Sequence, residues 1–158
     1  PPRLAGETLY LGFYLNELLL RTTARFDPHP RLTAGYEATL QRLSAGLAER
    51  ALRAFEAHLL DELGVGPDWT ACAGCGAAVS AGQSYAFQGE LGLLCPACAP
   101  GRTPFVGAGA LALRQSPEDM PDAALRPARD LARAALAPHL GERPLQSRQL
   151  LRALRRGG

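Results

Sequence analysis

The chain has 158 residues, of which 47% are hydrophobic and 20% charged, and its formal net charge is +2. That size fits one domain, or one domain with a small satellite, and can bury a real core. The composition excludes wholesale disorder, and no apolar run approaches the roughly 18 residues a membrane-spanning helix needs.

In the first segment Leu11, Leu15, Leu18 and Thr22 share one helical face, and Leu9, Phe13, Leu19 and Leu20 widen it. A helix this apolar is expected at the centre of a bundle. Asn16 and Glu17 interrupt it and no basic region precedes it, so it does not read as a signal peptide. It ends by Asp27-Pro28-His29-Pro30, where two prolines fix the backbone. A second helix carries Tyr36, Leu40, Leu43 and Leu47, and a third carries Leu52, Phe55, Leu59 and Leu63, stopped by Gly64, Gly66 and Pro67. Residues 70–101 are rich in Gly and Ala, with two short strands, Ser84–Gln88 and Leu91–Leu94, joined at Gly89-Glu90. Helical spacing returns in a short helix over Gly109–Gln115, after which Ser116-Pro117-Glu118-Asp119 makes a helix start or a turn. A long helix runs from Asp122 to Gly141 on Leu125, Ala128, Leu131, Ala132, Ala135 and Leu136. Ser147 caps a last helix whose Leu150, Leu151 and Leu154 face inward.

The expected fold is therefore mainly α: an antiparallel helical bundle with an inserted four-cysteine, zinc-ribbon-like β-hairpin module. Residues 1–69 form the first part of the bundle, 70–101 the zinc-binding insert and 102–158 the second part, ending in a basic helix.

The strongest chemical signal is Cys72-Ala-Gly-Cys75 with Cys95-Pro-Ala-Cys98, with 19 residues between the two pairs. Two residues between thiolates form a tight turn that aims both at one ion, and Gly76 suits the positive φ of such a knuckle. Two knuckles joined by a hairpin suit one tetrahedral S₄ ion, closed and structural, with zinc as the first choice. A rubredoxin-like iron site shares the knuckles, and a redox CxxC pair is a further alternative. With no signal peptide, a disulfide framework is not expected, which places the protein in a reducing cytoplasm.

Charge is uneven. All 17 basic residues are Arg, and five of them, Arg143, Arg148, Arg152, Arg155 and Arg156, fall after the last acid, Glu142. The tail carries +5 and the body −3. On a helix Arg148, Arg152, Arg155 and Arg156 form a stripe opposite the leucines, able to track a phosphate backbone. The alternative is a solvated helix end favoured by the macrodipole. His29, His58 and His139 are isolated, and no P-loop, GxSxG or HExxH occurs. Glu56, Asp61 and Glu62 read as a solvated helix face. Arg53 does too by default, although Leu52 and Phe55 beside it leave room for a peptide groove. Nothing in this inventory points to an enzyme.

Several of these stretches together resemble the RecO family of bacterial recombination mediators. Leu9-Tyr10-Leu11-Gly12-Phe13-Tyr14-Leu15-Asn16-Glu17-Leu18 resembles the family's first-helix motif. Asp27-Pro28-His29-Pro30 with Tyr36-Glu37-Ala38-Thr39-Leu40 fits next, then Leu52-Arg53-Ala54-Phe55-Glu56 with Leu63-Gly64. Gly141-Glu142-Arg143-Pro144-Leu145-Gln146-Ser147-Arg148 closes the series, and the Cys pairs match the zinc module of many members. The resemblance implies a DNA repair and recombination mediator that binds single- and double-stranded DNA, binds RecR, anneals strands and helps load RecA. It implies one structural Zn²⁺, and capture of the acidic, Phe-ended C-terminal tail of single-stranded DNA-binding protein with Arg53. It also implies a cytoplasmic protein, nucleoid-associated during repair, that binds no membrane. The family's N-terminal OB-fold is not in this chain, which begins at Pro1 and is expected to be a processed or trimmed piece. The rival expectation is a zinc-ribbon adaptor that binds protein without nucleic acid.

Overall fold

Apolar residues at helical spacing become helices close to where the pattern starts and stops. A computed structural model describes residues 2–158, and Pro1, the first residue of the first helical part, lies outside them. Helices α1 (Glu7–Thr22), α2 (Pro30–Ser44) and α3 (Ala48–Glu62) come first. Pro30 opens α2 at a position where its missing N–H costs nothing. Gly64, at φ +72°, turns the chain after α3 in the left-handed conformation that glycine tolerates. Strands β1 (Ser84–Gln88), β2 (Gly92–Leu94) and β3 (Phe105–Val106) follow, then helices α4 (Gly107–Ala112), α5 (Asp122–Leu136) and α6 (Gln146–Gly157). Among the described residues no helix is long and apolar enough to cross a membrane.

The core forms where α1, α3 and α5 bring fully buried leucines together: Leu15 and Leu18, Leu59 and Leu60, Leu131 and Leu136. Each contributes about 1.5–3 kcal/mol by leaving water. Helix α4 packs on α5 at backbone contact distance, because Gly109 has no side chain. A Cβ there would lie 2.4 Å from the Pro127 carbonyl carbon.

The sheet is antiparallel, in the order β2-β1-β3. Strands β1 and β2 form the expected hairpin, with Phe87 opposite Leu93. The third strand, unseen in the sequence, pairs Tyr85 with Phe105 and leads straight into α4. Aromatic rings join the sheet to the loop after α3: Trp69 stacks on Phe87 at 6.0 Å, and Phe87 meets Phe105 edge to face at 6.4 Å.

Three expectations change. Helix α1 is not central: its outer face leaves Leu9 and Phe13 partly exposed and Leu20 82% exposed. On α6 only Leu151 turns inward, while Leu150 and Leu154 stay exposed, because the helix lies against α1 on one side only. The long helix ends at Leu136 rather than at Gly141, and a 3-10 turn, Ala137–His139, carries Pro138, which cannot continue the hydrogen-bond ladder.

Candidate metal centre and anion-binding cleft

The insert closes around its four cysteines. Cys72 and Cys75 lie on the turn that follows Trp69, and Cys95 and Cys98 lie on the turn that leaves β2. Their Sγ atoms are all within 4.8 Å of one another. Gly76, at φ +76°, completes the first knuckle, and its N–H donates to the Cys72 carbonyl at 2.8 Å. The second knuckle repeats the pattern, with the Cys98 N–H donating to the Cys95 carbonyl at 3.0 Å. Backbone N–H groups of Cys95, at 3.3 Å, and Gly74, at 3.4 Å, point at the Cys72 sulfur. Such donors favour the thiolate, and those of Cys95 and Cys75 bring the Cys72 thiol down to about 6. Cys98, hydrogen-bonded to the Cys95 and Cys75 thiols, is pushed up to about 12. Four free thiols crowded into one small volume, with backbone donors aimed at a sulfur, fit a single metal ion ligated by sulfur.

A second site lies among the helices. Helices α1, α3, α5 and α6 surround a small cleft of about 50 Å³. Five arginines line it: Arg53 from α3, Arg129 and Arg133 from α5, Arg148 and Arg155 from α6. Leu11, Leu52 and Leu151 add apolar wall, and Glu49 is the acid among the lining residues.

At the floor is a buried polar network. Arg53 and Glu56, placed on a solvated face by the helical pattern alone, are 3% and 0% exposed, because α5 and Tyr14 of α1 cover that side of α3. Arg53 donates through Nη2 to Glu56 Oε1 at 3.0 Å, and the Tyr14 hydroxyl donates to the same oxygen at 2.5 Å. Burial, reinforced by the Glu56 carboxylate, pushes the Tyr14 hydroxyl well above its usual value, so it remains a donor. Arg148 in turn donates to the Tyr14 oxygen at 3.1 Å. Arg53 Nε and Nη1 and Glu56 Oε2 are buried without a hydrogen-bond partner among the described residues. Buried donors without partners are costly. Burial lowers Arg133, and the neighbouring charges of Arg148, Arg129 and Arg53 lower it further. Like charges gathered around one cleft are the arrangement that would suit an anionic ligand.

The predicted site residues separate into groups. The cysteines converge. Arg53 and Leu52 line the cleft, whereas Phe55 sits in the core, edge to face with Tyr36 at 6.5 Å. The tail arginines divide: Arg148 and Arg155 join Arg53 in the cleft, and Arg143, Arg152 and Arg156 are exposed outside it. Arg129 and Arg133 belong to no motif, and their i, i+4 spacing on α5 is the one signal in the sequence for them. His29 pairs with Asp27 at 3.4 Å, and His58 meets the Arg31 carbonyl at 3.1 Å.

Comparison with known proteins gives a consistent result. The family model described as "Recombination protein O C terminal" matches residues 3–149. The DNA repair protein RecO of Thiobacillus denitrificans is 44% identical over 160 residues, covering 94% of this chain and 61% of the relative. The DNA repair proteins RecO of Shigella flexneri serotype 5b and Yersinia pestis strain Pestoides F are each 40% identical over 152 residues, covering 94% of this chain and 62% of the relative. The chain thus spans about 60% of the length of the curated relatives it matches.

Proposed function

The chain belongs to the RecO family, and from that premise we propose that it is the helical, metal-binding part of a DNA repair and recombination mediator. The observation that carries this reading is the cleft, where five arginines, Arg53 with its two unpartnered buried nitrogens among them, converge. Its occupant is the acidic, Phe-ended tail of single-stranded DNA-binding protein. Carboxylates pair with the guanidinium groups, and the terminal ring packs on the wall of Leu11, Leu52 and Leu151. Arg53 and Leu52 contact the tail directly, and Phe55 supports them from the core.

Cys72, Cys75, Cys95 and Cys98 hold one structural Zn²⁺, which leaves no open coordination position for chemistry. The insert of residues 70–101 is thereby stapled between the bundle parts 1–69 and 102–158. Exposed Arg143, Arg152 and Arg156, with Arg148 and Arg155 at the cleft mouth, contribute phosphate contacts to single- and double-stranded DNA. The chain is not an enzyme; together with RecR, it favours annealing and RecA loading in the cytoplasm, at the nucleoid.

Binding of a labelled acidic, Phe-terminated peptide to the wild type, to Arg53→Glu and to Arg129→Glu tests the docking. Both variants should lose binding, and Arg129→Glu keeps the buried pair intact if Arg53→Glu misfolds. An intact wild-type chain with no affinity for the peptide overturns it. A protein-only adaptor would show no salt-dependent DNA affinity, whereas each neutralised phosphate adds about −0.9 to the log–log salt slope.

A further inference from the structure

Helix α6 supplies two of the five cleft arginines, yet little apolar surface holds it. Leu150 is 50% and Leu154 41% exposed, and Leu151 is only half-buried. Twelve residues make a helix that is marginal in water without packing. What holds α6 is polar and sits at its first turn. Its N-cap residue is Leu145, which has no side-chain acceptor for the free N–H groups there.

Glu17 of α1 supplies the missing acceptor from the far end of the sequence. Its Oε1 accepts the Gln146 N–H at 2.9 Å. Its Oε2 accepts the Ser147 N–H at 2.9 Å and the Ser147 hydroxyl at 2.6 Å. Arg21, one turn along α1, pairs with Glu17 at 2.8 Å and donates to the carbonyls of Leu140, Arg143 and Pro144. One carboxylate therefore terminates the helix, while its partner arginine ties down the loop that leads into it. The next residue after the clamp, Arg148, lies over the Tyr14 ring with its Cζ 5.2 Å from the centroid. At the other end of the contact Arg155 pairs with Glu7, also on α1.

We propose that Glu17 is the positioning residue of the cleft: it caps α6 in trans and so sets where Arg148 and Arg155 stand. It touches no ligand and acts through the helix it holds. The proposal rests on the docking reading above for its binding readout alone.

The test uses the whole chain and a double-mutant cycle of Glu17→Ala with Arg148→Gln. Labelled acidic, Phe-terminated peptide is titrated by fluorescence anisotropy, and backbone amide exchange is followed in the same four proteins. Glu17→Ala should weaken binding about tenfold. Arg148→Gln should weaken binding in the Glu17 background and add almost nothing to Glu17→Ala, since an arginine already displaced has little left to lose. Amides of Gln146 and Ser147 should exchange faster in Glu17→Ala, with those of α3 unchanged. Additive losses in the cycle overturn the proposal, and so does unaltered exchange at Gln146 and Ser147. A wild type that binds no peptide removes the docking reading, and exchange then judges the clamp by itself. If Glu17→Ala fails to fold, Glu17→Gln, which keeps one acceptor oxygen, is measured in its place against the same two outcomes.

Discussion

The Tyr14 hydroxyl donates to Glu56 at 2.5 Å and accepts from Arg148 at 3.1 Å, so one oxygen connects the buried pair of α3 to the exposed edge of α6. The ring beneath it carries the Arg148 guanidinium on its face. Tyr14 thus links a fully buried charge to one that lines the cleft.

The buried pair predicts a separation of stability from binding. Glu56→Ala strands the Arg53 charge in the core and should cost about 3–5 kcal/mol. The double variant Arg53→Met, Glu56→Leu removes both charges at similar volume and should recover most of that loss. It should still fail to bind an acidic peptide. Urea unfolding and peptide titration on the same samples check both halves.

Acid should loosen α6. Burial alone would raise the Glu17 carboxyl, but the hydrogen bonds from Ser147 and Gln146, with the Arg21 charge, take it below its ordinary value of 4.5. A depressed value means the folded state prefers the carboxylate. The contribution is complete above the unfolded value and is lost as pH falls from about 4.5 through the lower folded value. Amide exchange at Gln146 and Ser147, followed from about pH 6 down to about pH 3, should show α6 opening before the core does. In Glu17→Gln the same opening should lose its pH dependence.

Metal analysis should find one zinc per chain, and chelation should release it with loss of the insert's structure. Trp69 is the single tryptophan, buried against Phe87 of the sheet. Its emission should shift to the red as the insert opens, while far-UV circular dichroism from the helices falls much less. Cys72→Ser should reproduce the chelated spectrum.

The exposed tail arginines predict a graded electrostatic effect. Arg152→Glu with Arg156→Glu should weaken DNA binding and lower the magnitude of the salt slope by about 2, one phosphate each. Peptide binding in the cleft should hold, because neither residue lines it. DNA affinity unchanged by the pair would leave these arginines as a solvated helix end.

Gly109 predicts a packing defect. Gly109→Ala drives a methyl group into the α5 backbone at Pro127 and should cost about 1–3 kcal/mol. Thermal melts of the variant check it.

Much of the fold was legible because the forces that shape it are local. Helical spacing located the helices, and the pair of knuckles located the sulfur site to the residue. The features that escaped depend on distant partners. Ser147 resembles a helix cap in sequence, but it is the residue being capped, by a carboxylate 130 residues away. Arg53 and Glu56 look solvated on a helical wheel until α5 and Tyr14 of α1 cover them. Phe105–Val106 is too short to show an alternating pattern, and only its pairing with β1 makes it a strand. The division of the tail arginines likewise follows from how α6 is seated, which no period in its own sequence encodes.

Strand β3 has a mechanical consequence. The cysteine-bearing hairpin does not hang from the bundle on two flexible stalks. Its central strand β1 is bonded to β3, and Val106, the last residue of β3, is also the N-cap of α4. Helix α4 is locked against α5 by the side-chain-free contact at Gly109. Sulfur site, sheet, α4 and α5 are therefore joined in series by strand pairing and close packing. A displacement of the hairpin should be felt at α5, the helix that carries Arg129 and Arg133.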